Sequence, residues 1–197
     1  MSQLILASAS PRRLALLKQI GVDCRVVPAD ICEEALADET PTAYTQRLAY
    51  EKAGAVRAQC NQACVVLAAD TTVSIQGDIL GKPLHQQDAM QMLLRLSGQT
   101  HQVVTAVAVM SPVATDLLCV TTEVTFADLS EKVCADYWRT GEPQDKAGGY
   151  AIQGLGALFV KHIHGSYSNV VGLPLYETAE LLNKHGIPIW QLEISSY

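Results

Sequence analysis

Aromatic side chains are scarce in this chain: two Trp, seven Tyr and two Phe among 197 residues. With 49% of its residues hydrophobic, its core must be built mainly from aliphatic side chains. Cations are in deficit as well, 14 Lys and Arg against 20 Asp and Glu, for a formal net charge of -6. A net-negative surface argues against a broad nucleic-acid footprint and docking on an anionic membrane, but not against a small anion gripped by a few local cations. No run approaches the ~18 uninterrupted apolar residues of a membrane-crossing helix. The opening MSQLILASASPRR has no basic segment ahead of its short apolar stretch, so no secretion signal is expected.

Metal-site spacings are missing too. Among Cys24, Cys32, Cys60, Cys64, Cys119 and Cys134, only Cys60 and Cys64 lie close, and no second Cys or His pair stands near to complete a zinc site. His162 and His164 share one face of an expected strand, without an acidic or Cys partner at ligand spacing. Buried thiols in a reducing cytoplasm are expected instead. Neither a GxxxxGKS/T loop nor a GxGxxG fingerprint occurs. Repeats and low-complexity linkers are absent, and the length suits one domain or two closely joined lobes.

What is present alternates. LILAS predicts a short buried strand, and Ser10-Pro11 is an N-cap with proline at the first helical position. Leu14, Leu16, Leu17 and Ile20 give that helix its apolar face, and Gly21 stops it. VDCRVV predicts a second strand. Thr40-Pro41 opens a helix through TAYTQRLAYEKAGAVRAQ. CVVLAADTTVSI predicts a buried strand, and Gln76-Gly77-Asp78 a turn toward GKP. A helix over QQDAMQMLLRL stops at Ser97-Gly98. QVVTAVAVM and LLCVTTEVTFADL form an expected antiparallel hairpin. Ser130 caps a further helix, KAGGYAIQGLG is a glycine-rich loop, ALFVKHIHG a strand, PLYETAELLNKHG the last helix and PIWQLEISSY a tail. The fold class is α/β with a mixed sheet.

Four places carry groups suited to chemistry. In ASASPRR, small residues let an anion approach the free N–H groups and positive end of a helix dipole. Arg12 and Arg13 lie in the first turn, where the dipole disfavours cations. A phosphate would compensate both, although two solvated arginines on a capped surface helix account for the same residues. Asp70 interrupts an apolar strand, at or beyond its end, and a buried carboxylate needs a cation, a proton or a metal. A turn capped through Thr71 or Thr72 is the alternative there. Glu33 and Glu34 could add oxygen ligands, and Glu33 with Asp70 would suffice for Mg²⁺ alongside phosphate oxygens. Lys52 and Lys82 are either surface lysines or aimed cations, with Gly81 and Pro83 fixing a turn around the second. In DKAGGYAIQG the glycines permit close backbone approach to a ligand, and Gln153 offers a donor and an acceptor that could read a base edge.

Taken in order, SASPRR, Glu33, LAYEKA, AADT, GKP, LSGQTHQVVTAV, EPQDKAGGYAIQG and SYSNVVGLP resemble the Maf family of nucleoside triphosphate pyrophosphatases, from Leu4 to about Leu182. The resemblance is closest to the bacterial dTTP/UTP branch. It implies a single domain over residues 1–197, an elongated fold similar to the inosine triphosphate pyrophosphatases, with a mixed twisted sheet and a central cleft between two lobes. It implies hydrolysis of dTTP and UTP, or modified pyrimidine nucleotides, to monophosphate and pyrophosphate. Such an activity would limit incorporation of non-standard nucleotides. It places the catalytic set on Asp70, Glu33, Lys52 and Lys82, with a divalent cation, Mg²⁺ or Mn²⁺, on Glu33 and Asp70. Substrate binding falls on Ser8, Ser10, Arg12, Arg13, Thr71 and Gln153. Of these, Arg12, Thr71 and Gln153 separate the pyrimidine branch from the branch acting on 7-methyl-GTP. Cys32 stands where the family often has Asp, so no third carboxylate is implied there. The expected partner is the nucleotide, in the cytoplasm, with no nucleic acid or membrane; a homodimer stays open. The other class of function is a nucleotide-sensing regulator of septum formation that acts by binding a partner.

Overall fold

A computed structural model of the chain describes residues 3–60 and 64–190. The first half alternates: β1 (Gln3–Leu6), α1 (Pro11–Gln19), β2 (Arg25–Val26), α2 (Pro41–Arg57) and β3 (Cys64–Ile75). β4 (Asp78–Leu80), α3 (Gln86–Leu96), β5 (Thr100–Met110) and β6 (Thr115–Phe126) follow. Next come α4 (Glu131–Arg139), β7 (Val160–His164), α5 (Tyr167–Val171) and α6 (Leu175–Lys184). Turns of 3-10 helix at Glu142–Asp145, Ala147–Gly149 and Leu155–Phe159 carry the chain from α4 to β7.

The strands form one mixed sheet in the order β2-β1-β3-β5-β6-β7, with β4 attached to β3. β1 pairs in parallel with β2 and β3, while β5, β6 and β7 run antiparallel to their neighbours. The composition of β3 explains its central place. It is an almost continuous apolar run, and both of its faces are covered. Val66 and Ala68 pack under α2 against Ala49, Ala53 and Val56, where small side chains let the helix sit close. Val65, Leu67, Ala69, Val73 and Ile75 face the larger core, which includes Leu93, Leu96, Phe126 and Phe159.

One detail of register creates the functional cavity. β5 occupies one edge of β3 over residues 66–74, so β1 and β4 must share the other edge. β1 covers residues 64–67 and β4 covers residues 73–75. Among the described residues, none pairs as a strand with residues 68–72 on that side, and the sheet opens there. Asp70 is therefore central in β3, not at its end as its place after VVLAA suggests. It nonetheless lies just past the point where parallel pairing with β1 stops, the position where α/β sheets bind ligands.

Several elements differ from expectation for local reasons. β2 is two residues rather than VDCRVV, because β1 offers only Ile5 and Leu6 for pairing and Pro28 has no N–H to continue the ladder. Gln76 and Gly77, both at positive φ, make a two-residue hairpin turn, so DIL becomes strand β4 where only a turn was expected. The expected strand ALFVKHIHG winds as 3-10 helix through Phe159 and extends only from Val160. The short α5, in which Ser166 accepts from the Asn169 N–H at 3.2 Å, was not foreseen in SYSNVV. In the expected tail, the Trp190 backbone N–H donates to the Ile20 carbonyl at 2.7 Å, and residues 191–197 lie outside the described residues.

Candidate active site

The opening beside β3 is a cleft of about 470 Å³. One wall is the segment from Ala7 into α1, which brings Ser8, Ser10, Arg12 and Arg13. The floor holds Asp70 and Thr71 with Lys52 of α2, and Glu33 arrives from the loop after β2. Opposite α1 stand Lys82, just after β4, and the glycine-rich segment with Gln153. All ten side chains of the expected catalytic and substrate-binding sets thus line one cavity, whereas Glu34 does not.

Its charged centre is Lys52. The Nζ lies 2.6 Å from Asp70 Oδ1 and 2.6 Å from Glu33 Oε1, with only 11% of the Lys52 and Asp70 side chains exposed. Helix and strand geometry place the pair. α2 runs antiparallel to β3, and Thr45 and Lys52, seven residues apart on one helical face, meet Thr72 and Asp70, two residues apart on one strand face. The Thr45 hydroxyl donates to the Pro41 carbonyl at 2.6 Å and lies 2.8 Å from the Thr72 hydroxyl. Burial alone would raise the Glu33 pKa. The hydrogen bond and charge of Lys52, with the fields of Lys82 and Arg13, outweigh it and hold that carboxyl below the usual range.

Thr71 points to the opposite sheet face, into a second network. Arg13 donates from Nη2 to Thr71 Oγ1 (3.0 Å), from Nη1 to Ser8 Oγ (3.2 Å) and from Nε to the Gly172 carbonyl (2.9 Å). Thr71 and Thr105 share a hydroxyl hydrogen bond at 3.0 Å, and Thr105 donates to the Asn169 carbonyl at 2.9 Å. The buried Asn169 amide in turn donates to the Val103 carbonyl and to Thr122, each at 2.9 Å. Gly172 has φ +123, and a Cβ there would approach Thr71 Oγ1 at 3.3 Å and Arg13 Nε at 3.6 Å, so glycine suits this junction. Burial lowers the Arg13 pKa, opposed by the nearby Asp70 carboxylate.

The α1 terminus retains unspent capacity. Ser10 stands at the N-cap as expected, yet its side chain makes no capping bond, and the first turn holds no acidic residue. Ser8 accepts instead from the Ser10 N–H at 3.2 Å. The Arg12 and Arg13 amides therefore keep the donor character and dipole that favour an anion.

These walls have a family context. Residues 3–185 match the model of the Maf-like proteins. The chain belongs to the Maf family. It is 50% identical over 193 residues to the dTTP/UTP pyrophosphatase of Saccharophagus degradans, covering 96% of this chain and 92% of that one. It is 54% identical over 184 residues to the dTTP/UTP pyrophosphatase of Pseudoalteromonas atlantica, covering 92% and 96%. Among solved structures, the Ham1 protein of Staphylococcus aureus overlays with TM-score 0.49 and 18% identity, over 64% of this chain and 73% of that one.

Within this Maf chain, the glycine-rich loop is built for packing more than for ligand approach. A Cβ on Gly148 would lie 2.8 Å from Val73, and one on Gly154 would collide with the Glu142 carboxylate. Gly148 also donates its N–H to the Gly81 carbonyl at 2.9 Å, tying the loop to the Lys82 turn. Lys82 and Gln153 are exposed at the cleft surface.

Residues that motif reading passed over complete the site. The Tyr44 hydroxyl donates to the Glu33 carbonyl at 2.8 Å, and Arg47 Nη2 to the Glu34 carbonyl at 3.0 Å. Arg47 is itself held by Glu39 at 2.7 Å, so α2 pins the loop that carries Glu33. Their spacing on α2, with Lys52 further along the same helix, was the only signal available.

No group of three or more His, Cys, Asp and Glu side chains that could hold a metal occurs among the described residues. Glu33 and Asp70 still fit a hard divalent cation. Two carboxylates from different elements converge on one positive centre, now the Lys52 ammonium, and Mg²⁺ typically uses one or two carboxylates with phosphate oxygens. No helix among the described residues is long and apolar enough to cross a membrane.

Proposed function

We propose that this chain hydrolyses dTTP and UTP to the nucleoside monophosphate and pyrophosphate. The carrying observation is the Glu33–Lys52–Asp70 centre, at 2.6 Å on each side, facing an uncapped helix N-terminus with two arginines. That arrangement offers acids, cations and backbone donors across a space suited to a triphosphate, in a chain about half identical to pyrophosphatases named for these two substrates.

Asp70 accepts the proton of the attacking water, since its carboxylate is fixed on a rigid strand and reaches the cleft. Lys52, Lys82 and Arg13 offset charge developing on the pyrophosphate leaving group, and the α1 amides with Ser8 and Ser10 bind phosphate oxygens. Glu33 and Asp70 would hold Mg²⁺ or Mn²⁺, which supplies Lewis-acid polarisation of the attacked phosphoryl group. Arg12, Thr71 and Gln153 are assigned to base discrimination. All six cysteines are thiols rather than disulfides, Cys64 and Cys134 buried but Cys32 exposed, which supports the reducing cytoplasm as the compartment. Modified pyrimidine nucleotides would fit the same base-reading wall. No observation favours the septum-regulating alternative.

The test is pyrophosphate release by purified protein with Mg²⁺ across dTTP, UTP, CTP and GTP. Preference for dTTP and UTP supports the reading. Turnover that yields inorganic phosphate and a diphosphate, or none with any nucleotide, overturns it.

A further inference from the structure

Glu142 lies outside the cleft, yet its carboxylate is saturated by groups that flank the cleft's exposed wall. Oε1 accepts the Tyr137 hydroxyl at 2.7 Å and the Gly156 N–H at 2.9 Å, while Oε2 accepts the Leu155 N–H at 2.9 Å. The same Tyr137 oxygen accepts the Ala151 N–H at 3.1 Å. Gly154 donates back to the Ala151 carbonyl at 3.2 Å, closing a turn with Ile152 and Gln153 at its tip. This turn is thus held on both sides by one side-chain pair, before Gln153 through Tyr137 and after it through Glu142. The glycines agree. A Cβ on Gly154 would collide with Glu142, and one on Gly156 would lie 2.7 Å from the Tyr137 hydroxyl. The AIQGLG spacing is therefore explained by closure of the backbone over this pair.

The anchor is also rigid where it must be. Tyr137 is 5% exposed and packs edge-on against Phe159 with ring centroids 4.8 Å apart. Glu142 follows Gly141, whose φ of +78 turns the chain off the end of α4. Gln153 is exposed at the tip, so the backbone on either side of it sets its position.

We infer that Glu142, with Tyr137, is the positioning residue of the base-reading wall, holding Gln153 at the distance from the phosphate-binding wall that selects a pyrimidine. The inference rests on the nucleotide reading above. Glu142 touches neither substrate nor metal, and its effect passes through the backbone of residues 151–156. Glu142→Gln keeps the shape but faces an amide against a backbone N–H, since its nitrogen cannot accept.

The experiment compares Glu142→Gln and Tyr137→Phe, each alone and combined with Gln153→Ala. In the absence of metal, Kd for dTTP and for GTP is measured without turnover; kcat/KM for both is then measured with Mg²⁺. Each single variant is expected to lower the dTTP-to-GTP preference by roughly fivefold or more. In the Gln153→Ala background neither should change it further. Hydrogen exchange of the wild-type and variant proteins should show lost protection confined to residues 151–156. Protection unchanged in both variants overturns the anchor, and so does a preference unchanged despite a loosened turn. Equal loss with both nucleotides reduces Glu142 to general stability and overturns the inference too. If the wild-type protein neither binds these nucleotides nor hydrolyses them with Mg²⁺, the functional reading fails and takes the discrimination claim with it, while exchange still reports separately on the anchor.

Discussion

Lys52 is the residue on which the site turns, because one ammonium satisfies two carboxylates that would otherwise repel. Removing one partner of a buried ion pair costs about 3–5 kcal/mol, chiefly through the charge left behind. Lys52→Met should therefore lower stability by about that amount. Mg²⁺ or Mn²⁺ should raise its Tm more than it raises that of the wild type, as the freed carboxylates gain a cation. A Tm insensitive to metal in the variant would remove Glu33 and Asp70 as a metal pair. Asp70→Asn, nearly isosteric but a poor proton acceptor, should abolish turnover and leave the fold intact. A folded Asp70→Asn protein that kept most of its activity would end the assignment. The sequence made these residues unequally visible. Asp70 announces itself as a charge in an apolar run, whereas Lys52 is one lysine in a polar helix, and only its spacing from Thr45 marks a face turned to β3. Tyr44 and Asn169 act through backbone carbonyls and hydroxyls, which no residue pattern encodes.

At the scale of elements, α1 divides its two arginines. Adjacent helical residues project about 100° apart, so they cannot address one phosphate alike. Arg13 is bound to Ser8, Thr71 and Gly172, and we assign it to the phosphates. Across the cleft, burial would raise the Asp145 pKa, but its bond to Lys146 and the more distant charge of Arg12 lower it. Arg13→Ala should weaken every triphosphate alike and loosen the junction with α5. Arg12→Ala should change the pyrimidine-to-purine ratio by about five- to a hundredfold, the range for an unpaired hydrogen bond. Measuring kcat/KM for dTTP, UTP, CTP and GTP decides it, and equal loss on all four with Arg12→Ala contradicts the division. Most elements were legible through caps and periodicity, as with Thr40-Pro41 for α2 and Ser130 for α4. The misses were tertiary. β4 exists because β3 runs on past β1 and leaves an edge to pair, and Leu155–Phe159 coils because Glu142 gathers its amides.

For the molecule as a whole, acid sensitivity should follow one buried ring. His101 is 1% exposed, its Nε2 lies 2.8 Å from the Tyr150 hydroxyl, and its Nδ1 has no hydrogen-bond partner among the described residues. Burial pushes its pKa down to about 4, against 6.5 for a solvent-exposed imidazole such as that of the unfolded chain. Between these values the unfolded chain binds a proton that the folded chain refuses, so stability rises with pH across that window. Acidification from pH 7 to 4.5 should cost about 2 kcal/mol from this group. The lowered Glu33 carboxylate contributes in the same sense only at lower pH, because its contribution is lost as pH falls below the unfolded value and through its folded one. Urea midpoints between pH 7 and 4.5 should fall for the wild type, with a flatter slope for His101→Phe whatever its absolute stability. Parallel slopes would show that the acid response lies elsewhere.

The central claim is that Asp70 directs water at the α-phosphorus of a pyrimidine triphosphate bound between α1 and the Gln153 turn. Hydrolysis of dTTP in ¹⁸O-labelled water tests it most directly, with mass analysis of both products. The account predicts one labelled oxygen in the nucleoside monophosphate and none in pyrophosphate. Label in pyrophosphate alone would mean attack at the β-phosphorus and would contradict it.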